Sequence, residues 1–156
     1  MKTRQSFLKK TFTPSKEICV TYKSGEAIFR MHFHNFYELD IITEGSGVSN
    51  LNGKTIKFQK NTAFFLSPKD FHDIIPDTTL HITNLQISND TMNRCFPNCA
   101  SMKGACSFFD NDVTVDVNEI CSLIAKGNRN TDYLNSLLTA LIRLLFSQPA
   151  TLTAPD

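Results

Sequence analysis

The chain has no tryptophan, only six glycines and six prolines, and a formal net charge of +1 over 156 residues. Each shortage excludes something. A charge so close to zero leaves no electrostatic footprint for a nucleic-acid-binding surface. The one basic cluster, Lys2, Arg4, Lys9 and Lys10, is short and reads as a solvated arm. There is no run of about 18 apolar residues, so no membrane-spanning helix is expected. The N-terminus lacks the apolar stretch of a signal peptide. Five cysteines (Cys19, Cys95, Cys99, Cys106 and Cys121) are an odd number without a C-x-x-C pair, which argues for reduced thiols in a cytoplasmic protein. Cys95, Cys99 and Cys106 match no common zinc-module spacing. Internal repeats, a glycine-rich phosphate loop, a nucleophile elbow and a helix-turn-helix pattern are also missing. What is present is 41% hydrophobic residues with 13 phenylalanines, ample material for one folded domain with a core.

The apolar residues change period along the chain. Residues 1–15 read as a flexible arm. From about 16 to 87, short segments rich in Ile, Val, Phe, Tyr and Thr recur between Gly, Asn, Asp and Pro, the pattern of an antiparallel all-β unit. About eight strands are expected, among them Ile18–Lys23, Ala27–His34, Tyr37–Thr43 and Leu80–Ile87. Asn52-Gly53, between Val48–Leu51 and Lys54–Phe58, is a strong hairpin signal because both residues tolerate the positive φ of a type I′ turn. Ser88 or Asn89 caps a short helix near 90–96, and 97–112 reads as irregular. Asp116 and Glu119 have capping-box spacing for a helix stopped at Gly127. A last helix, 132–146, carries Leu134, Leu137, Leu138, Leu141, Ile142 and Leu145 as one apolar stripe. The stripe serves either to cover the chain's own β unit or to pair with a second copy. Residues 148–156 read as a linker or tail.

The chemistry concentrates in four residues. His32 and His34 are two apart, so on one strand they point the same way. Glu38 has the same parity on the next strand, and His72 opens a later one. Three imidazoles and a carboxylate meeting at one point suit a divalent metal such as Zn, Ni, Mn, Fe or Cu. The same set also serves as a hydrogen-bonded scaffold without any metal. Arg30 shares the parity of the two histidines and is expected to face inward with an anionic partner. Tyr22, Tyr37, Asn84 and Gln86 are further candidate lining residues for a small polar effector.

His32-Phe33-His34-Asn35-Phe36-Tyr37-Glu38, followed by Gly45, resembles the first motif of the cupin superfamily: H-x-H, three residues, Glu, six residues, Gly. Pro68-Lys69-Asp70-Phe71-His72 resembles the second, with departures. Gly25 lies one residue too far from His32, Asp70 stands where Gly is common, and His72 is one residue closer to Pro68 than in the general pattern. Together with two amphipathic helices after the strands, these features resemble the sensor domain of AraC-type transcription regulators over residues 16–147.

That resemblance implies a cupin-type antiparallel β-barrel or jelly-roll at 16–112, followed by a helical dimerisation segment at 113–147. It implies a sugar- or organic-acid-sized effector bound by Arg30, His32, His34, Glu38, His72, Tyr22 and Tyr37, with metal at His32, His34, Glu38 and His72 as an option. It implies a homodimer through the terminal helix and contact with DNA only through a domain absent from this chain. In sugar-responsive relatives the arm closes over the pocket, a role open here to Phe7, Leu8 and Phe12. The rival expectation is a small metal-dependent cupin enzyme of dioxygenase or sugar-isomerase type; a third is a structural dimer module with a dead pocket, its interior filled by side chains. A leucine-faced terminal helix favours the non-catalytic sensor.

Overall fold

The structure, a computed structural model, describes residues 8–10, 17–127, 130–146 and 152–153. Among these, two sheets lie face to face as a jelly-roll, with helices against the outer face of one. The strands are β1 (Leu8–Lys10), β2 (Ile18–Gly25), β3 (Phe29–His34), β4 (Tyr37–Glu44), β5 (Gly47–Leu51), β6 (Lys54–Phe58), β7 (Thr62–Leu66), β8 (Phe71–Pro76), β9 (Leu80–Ile87), β10 (Ala105–Phe108) and β11 (Leu152–Thr153). The helices are α1 (Asn89–Cys95), α2 (Asn111–Lys126) and α3 (Thr131–Phe146). One sheet runs β1-β3-β8-β5-β6 and the other β11-β10-β7-β4-β9-β2. The two are separately hydrogen-bonded, so the unit is a two-sheet jelly-roll rather than one closed barrel.

Most elements sit where residue chemistry puts them. Asn52 (φ 51°) and Gly53 (φ 85°) both adopt positive φ at the β5–β6 hairpin, as a type I′ turn needs. Gly45 has φ 92°, and a Cβ there would lie 2.3 Å from the Thr79 carbonyl oxygen, so this bend has no room for another residue. Ser88 caps α1, its hydroxyl accepting from the Thr91 amide at 3.1 Å. Gly127 closes α2 in the left-handed conformation.

Three expectations give way. Residues 105–108 are a strand, not irregular chain: Cys106 and Ser107 are buried as β10 adds to β7. The segment is too short for its alternation to stand out among polar neighbours. Helix α2 begins after Asp110 instead of at the Asp116 box, so Val113 and Val117 join its apolar face. The arm residues Leu8–Lys10 pair in parallel with His32–His34 of β3. Phe7 and Phe12 lie outside the described residues, as do Asn128, Arg129 and most of the tail.

Strand β4 is the organising element, buried over Tyr37–Ile42 on both faces. Its odd-numbered residues Tyr37, Leu39 and Ile41 join Phe65, Leu85 and Ile87 in a core completed by Val117, Cys121 and Ile124 of α2 and by Leu138, Leu141, Ile142 and Leu145 of α3. Its even-numbered residues face the second sheet. There Ile42 joins Phe58, Phe64, Ile74, Leu80, Ile82 and Cys106 in an apolar cluster. Glu38 and Asp40, further along the same face, are buried and polar. The space between the sheets thus has an apolar end and a polar end.

The centre of the α3 stripe is therefore packed within the chain. Leu138, Leu141, Ile142 and Leu145 are buried in the core, while Leu134 and Leu137 are half-buried. The four buried residues are not available to a second copy, because the open face of the β2–β4–β7–β9 sheet offers apolar area that must be covered first.

Candidate functional site

The polar end is built by strand pairing. His32 lies opposite His72 across β3 and β8, and Leu51 lies opposite His72 on the other side. From the second sheet, Glu38 pairs with Gln86 and Asp40 with Asn84. Alternation turns all of these inward. His32, His34, Glu38 and His72 each offer a ligand atom, and these atoms lie within 4.8 Å of one another, all four side chains being buried. The three imidazole rings pack with centroids 4.4 to 5.3 Å apart.

Neighbours fix the orientation of these groups. The Nδ1 of His32 donates to the Arg30 carbonyl oxygen at 2.6 Å, which sets the tautomer with the lone pair on Nε2. The Asn84 amide donates to Glu38 Oε1 at 2.6 Å and to Asp40 Oδ1 at 2.7 Å. Thr21 donates in turn to Asn84 Oδ1 at 3.2 Å. Glu38 Oε2 faces His34 Nε2 at 3.0 Å and His72 Nε2 at 3.5 Å. His34 Nδ1, Glu38 Oε2 and His72 Nε2 nonetheless lack a hydrogen bond of good geometry. Buried polar atoms are rarely left so, and here two of the three point at each other across one small space.

Burial pushes the Glu38 carboxyl up, but the facing His34 and His72 outweigh it and hold the group well below the usual carboxylate range. Asp40 goes the other way: burial and then the charge of Glu38 raise it to about 6. Two buried carboxylates thus share one pocket with their affinities for protons driven apart.

Around His72 the backbone is clamped. Asp70 accepts from the Asn52 side chain at 2.8 Å and the Ser67 amide at 2.6 Å, and Asp73 from the Asn50 amide and side chain at 2.7 and 2.8 Å. A residue where glycine is common in the resembling motif is here the tie that holds the β7–β8 turn. A cavity of about 50 Å³ adjoins the four residues, lined also by Lys23, Phe29, Phe36, Asp40 and Gln86.

Not every expected residue converges. Arg30 is exposed. The β3–β8 register slips between Phe29 and His32, and this bulge lets both Phe29 and His32 face inward although they are three apart. Arg30, between them, is turned out. Tyr22 is 66% exposed, since its neighbour Lys23 takes the inward position on β2. Tyr37 is buried on the helix side of β4, its hydroxyl donating to the Cys99 carbonyl oxygen at 3.1 Å. Asn84 and Gln86 do reach the pocket. Asp40 and Lys23 do so too, without having been expected. The parity of Asp40 with Glu38 was the signal that could have found it.

A family model described as the AraC-like ligand binding domain matches residues 17–151. This chain belongs to that family. Among curated proteins, this AraC-like domain is similar to the HTH-type transcriptional activator RhaS of Yersinia pestis, 28% identical over 71 residues, or 46% of this chain and 26% of that protein. The RhaS of Yersinia pseudotuberculosis matches to the same extent. The matched part is thus about a quarter of those relatives' length. Among solved structures, ToxT from Vibrio cholerae with unsaturated fatty acid bound aligns with a TM-score of 0.59 at 13% identity, covering 89% of this chain and 58% of that one. ToxT bound to (E)-4-(8-methylnaphthalen-1-yl)but-3-enoic acid aligns at 0.57 and 10%, covering 85% and 57%. At such identities the likeness concerns the fold. Among the described residues no helix is long and apolar enough to cross a membrane.

Proposed function

We propose that this AraC-like domain is the sensing part of a transcription regulator. In this reading the group formed by His32, His34, Glu38 and His72 is the recognition site, and it holds a divalent transition metal. The observation that carries the reading is the buried convergence of three imidazoles and one carboxylate, with two facing ligand atoms left without hydrogen bonds. Nitrogen and oxygen donors of this kind suit Zn, Ni, Mn or Fe. When bound, the ion supplies positive charge and Lewis acidity to anything entering beside it.

The chain's own residues do the rest. Asn84 and the Arg30 carbonyl aim the ligands. Asp40, raised to about 6, exchanges its proton just below neutral pH, and Lys23 stands at the edge of the cavity. Occupation shifts the balance between conformations to the extent that it favours one of them. The likeness to activators of the RhaS type supports reading that shift as a signal to a DNA-binding domain, and pairing of two copies belongs to the same proposal.

The test is metal analysis of the untagged chain. One ion per chain is expected, falling to a small fraction in Glu38→Gln with His72→Ala. Substoichiometric metal in the parent protein sinks the metal part of the reading. A second reading, a metal-dependent enzyme, draws support from the cavity beside the ligands and from the buried Asp40 next to it; turnover of a dioxygenase or isomerase substrate by the metal-loaded chain would favour it.

A further inference from the structure

The space next to the four ligands decides what can be sensed there. It is about 50 Å³, whereas pockets for organic ligands run from about 300 to 1,000 Å³. One or two waters fill it. The remainder of the inter-sheet space is taken by Ile42, Phe58, Phe64, Ile74, Leu80 and Ile82. A sugar ring or an acyl chain has nowhere to go without unpacking that cluster.

The charges point the same way. Glu38 and Asp40 are both buried and lie on the same face of β4. An organic anion entering alone would meet these buried acidic side chains, which a divalent cation would instead find attractive. Glu38 Oε1 is tied to Asn84, so Oε2 is the oxygen turned to the histidines. The tautomer of His32 is set by a backbone carbonyl. These are features of a site organised before its ligand arrives, which lowers the cost of binding. Finally, the donors come from both sheets: His32, His34 and His72 from one, Glu38 from the other. An ion there ties the sheets together directly, so occupied and vacant forms differ in sheet-to-sheet stiffness. That difference is what a sensor needs.

We infer that the species this domain senses is the metal ion itself, a first-row divalent cation exchanging at His32, His34, Glu38 and His72, rather than a sugar or acid bound within the jelly-roll. The inference rests on the reading of these four residues as the recognition site.

The experiment strips the chain with a chelator and titrates Co(II), Ni(II), Zn(II), Mn(II) and anaerobic Fe(II). Visible absorption of Co(II) and the melting temperature are read together. A parallel panel of monosaccharides and short carboxylic acids is added to the stripped and the loaded chain. The expected result is saturation at one ion, and about a hundredfold gain in the folding equilibrium constant at a hundredfold excess over Kd. The ion is expected to leave within minutes of chelator addition. The panel is expected to be silent in both forms. Glu38→Gln, which keeps the shape of the side chain, is expected to abolish the metal response while melting cooperatively; His34→Asn serves as the second variant. A panel member that shifts the loaded chain further makes the ion an anchor for an organic effector and overturns this inference, with the metal reading intact. An ion that resists chelator for hours is a permanent staple and overturns it too. No binding of any metal removes both readings together.

Discussion

At the scale of single residues, Asp40 and Glu38 show how two like groups on one strand face acquire different roles. Glu38 is flanked by two imidazoles and stays ionised; Asp40 has burial and the Glu38 charge against it. The sign of the pH effect follows. The Asp40 carboxyl sits at about 6 in the folded chain against an ordinary 3.8, so folding favours its protonated form. The stability this gives is complete below pH 4 and is lost as pH rises through 6. Asp40→Asn removes the titration. Urea unfolding in chelator should therefore show the variant gaining on the parent protein between pH 4 and 6, by up to about 3 kcal/mol, with a flat difference above. A difference that does not change with pH would mean that Asp40 ionises alike folded and unfolded. Asp40 was legible in principle, because its parity matches that of Glu38. A lone carboxylate in an apolar strand, however, carries no motif.

At the scale of elements, periodicity located β2 to β9, α1 and α3 to within a few residues, because alternation, the Asn52-Gly53 turn and the α3 stripe are local signals. Two things were not local. Strand β10 gains its status from pairing with β7 across a long separation, and four residues carry too little pattern alone. The bulge in β3 is likewise invisible to strict alternation, and it reverses the assignment of Arg30. A parity argument assumes an unbroken ladder; one extra residue turns every side chain before it to the other face. Arg30→Ala should thus leave metal titration unchanged and shift stability by no more than about 0.5 kcal/mol, as exposed substitutions do. Phe29→Ala, which removes the ring lining the cavity beside Lys23, should lower the melting temperature. Loss of metal binding in Arg30→Ala with Phe29→Ala silent would contradict the bulged register.

At the scale of the whole molecule, the question is what the helices are for. The α3 stripe has two possible employers, and the core has claimed its centre. Leu141 is fully buried in the core that β4, α2 and α3 share. Leu141→Ala should cost about 2 to 5 kcal/mol through the cavity it leaves, read as a fall in melting temperature. Flanking the buried rows, Ile120, Leu123, Leu134 and Leu137 are only half-buried, and α2 and α3 pack on each other. Pairing of two copies through α2 and α3 would have this seam of half-buried residues to work with. Sequence pattern could show that α3 has one wide apolar face, but not how the sheet divides it. The discriminating pair is Leu141→Ala against Leu123→Lys with Leu134→Lys. If copies pair through the seam, sedimentation at micromolar concentration shows the charged variant as a monomer with a nearly unchanged melting temperature, while Leu141→Ala, where folded, sediments as the parent does. If the charged variant keeps the parent's sedimentation, the seam is not the contact and the helices serve the core alone.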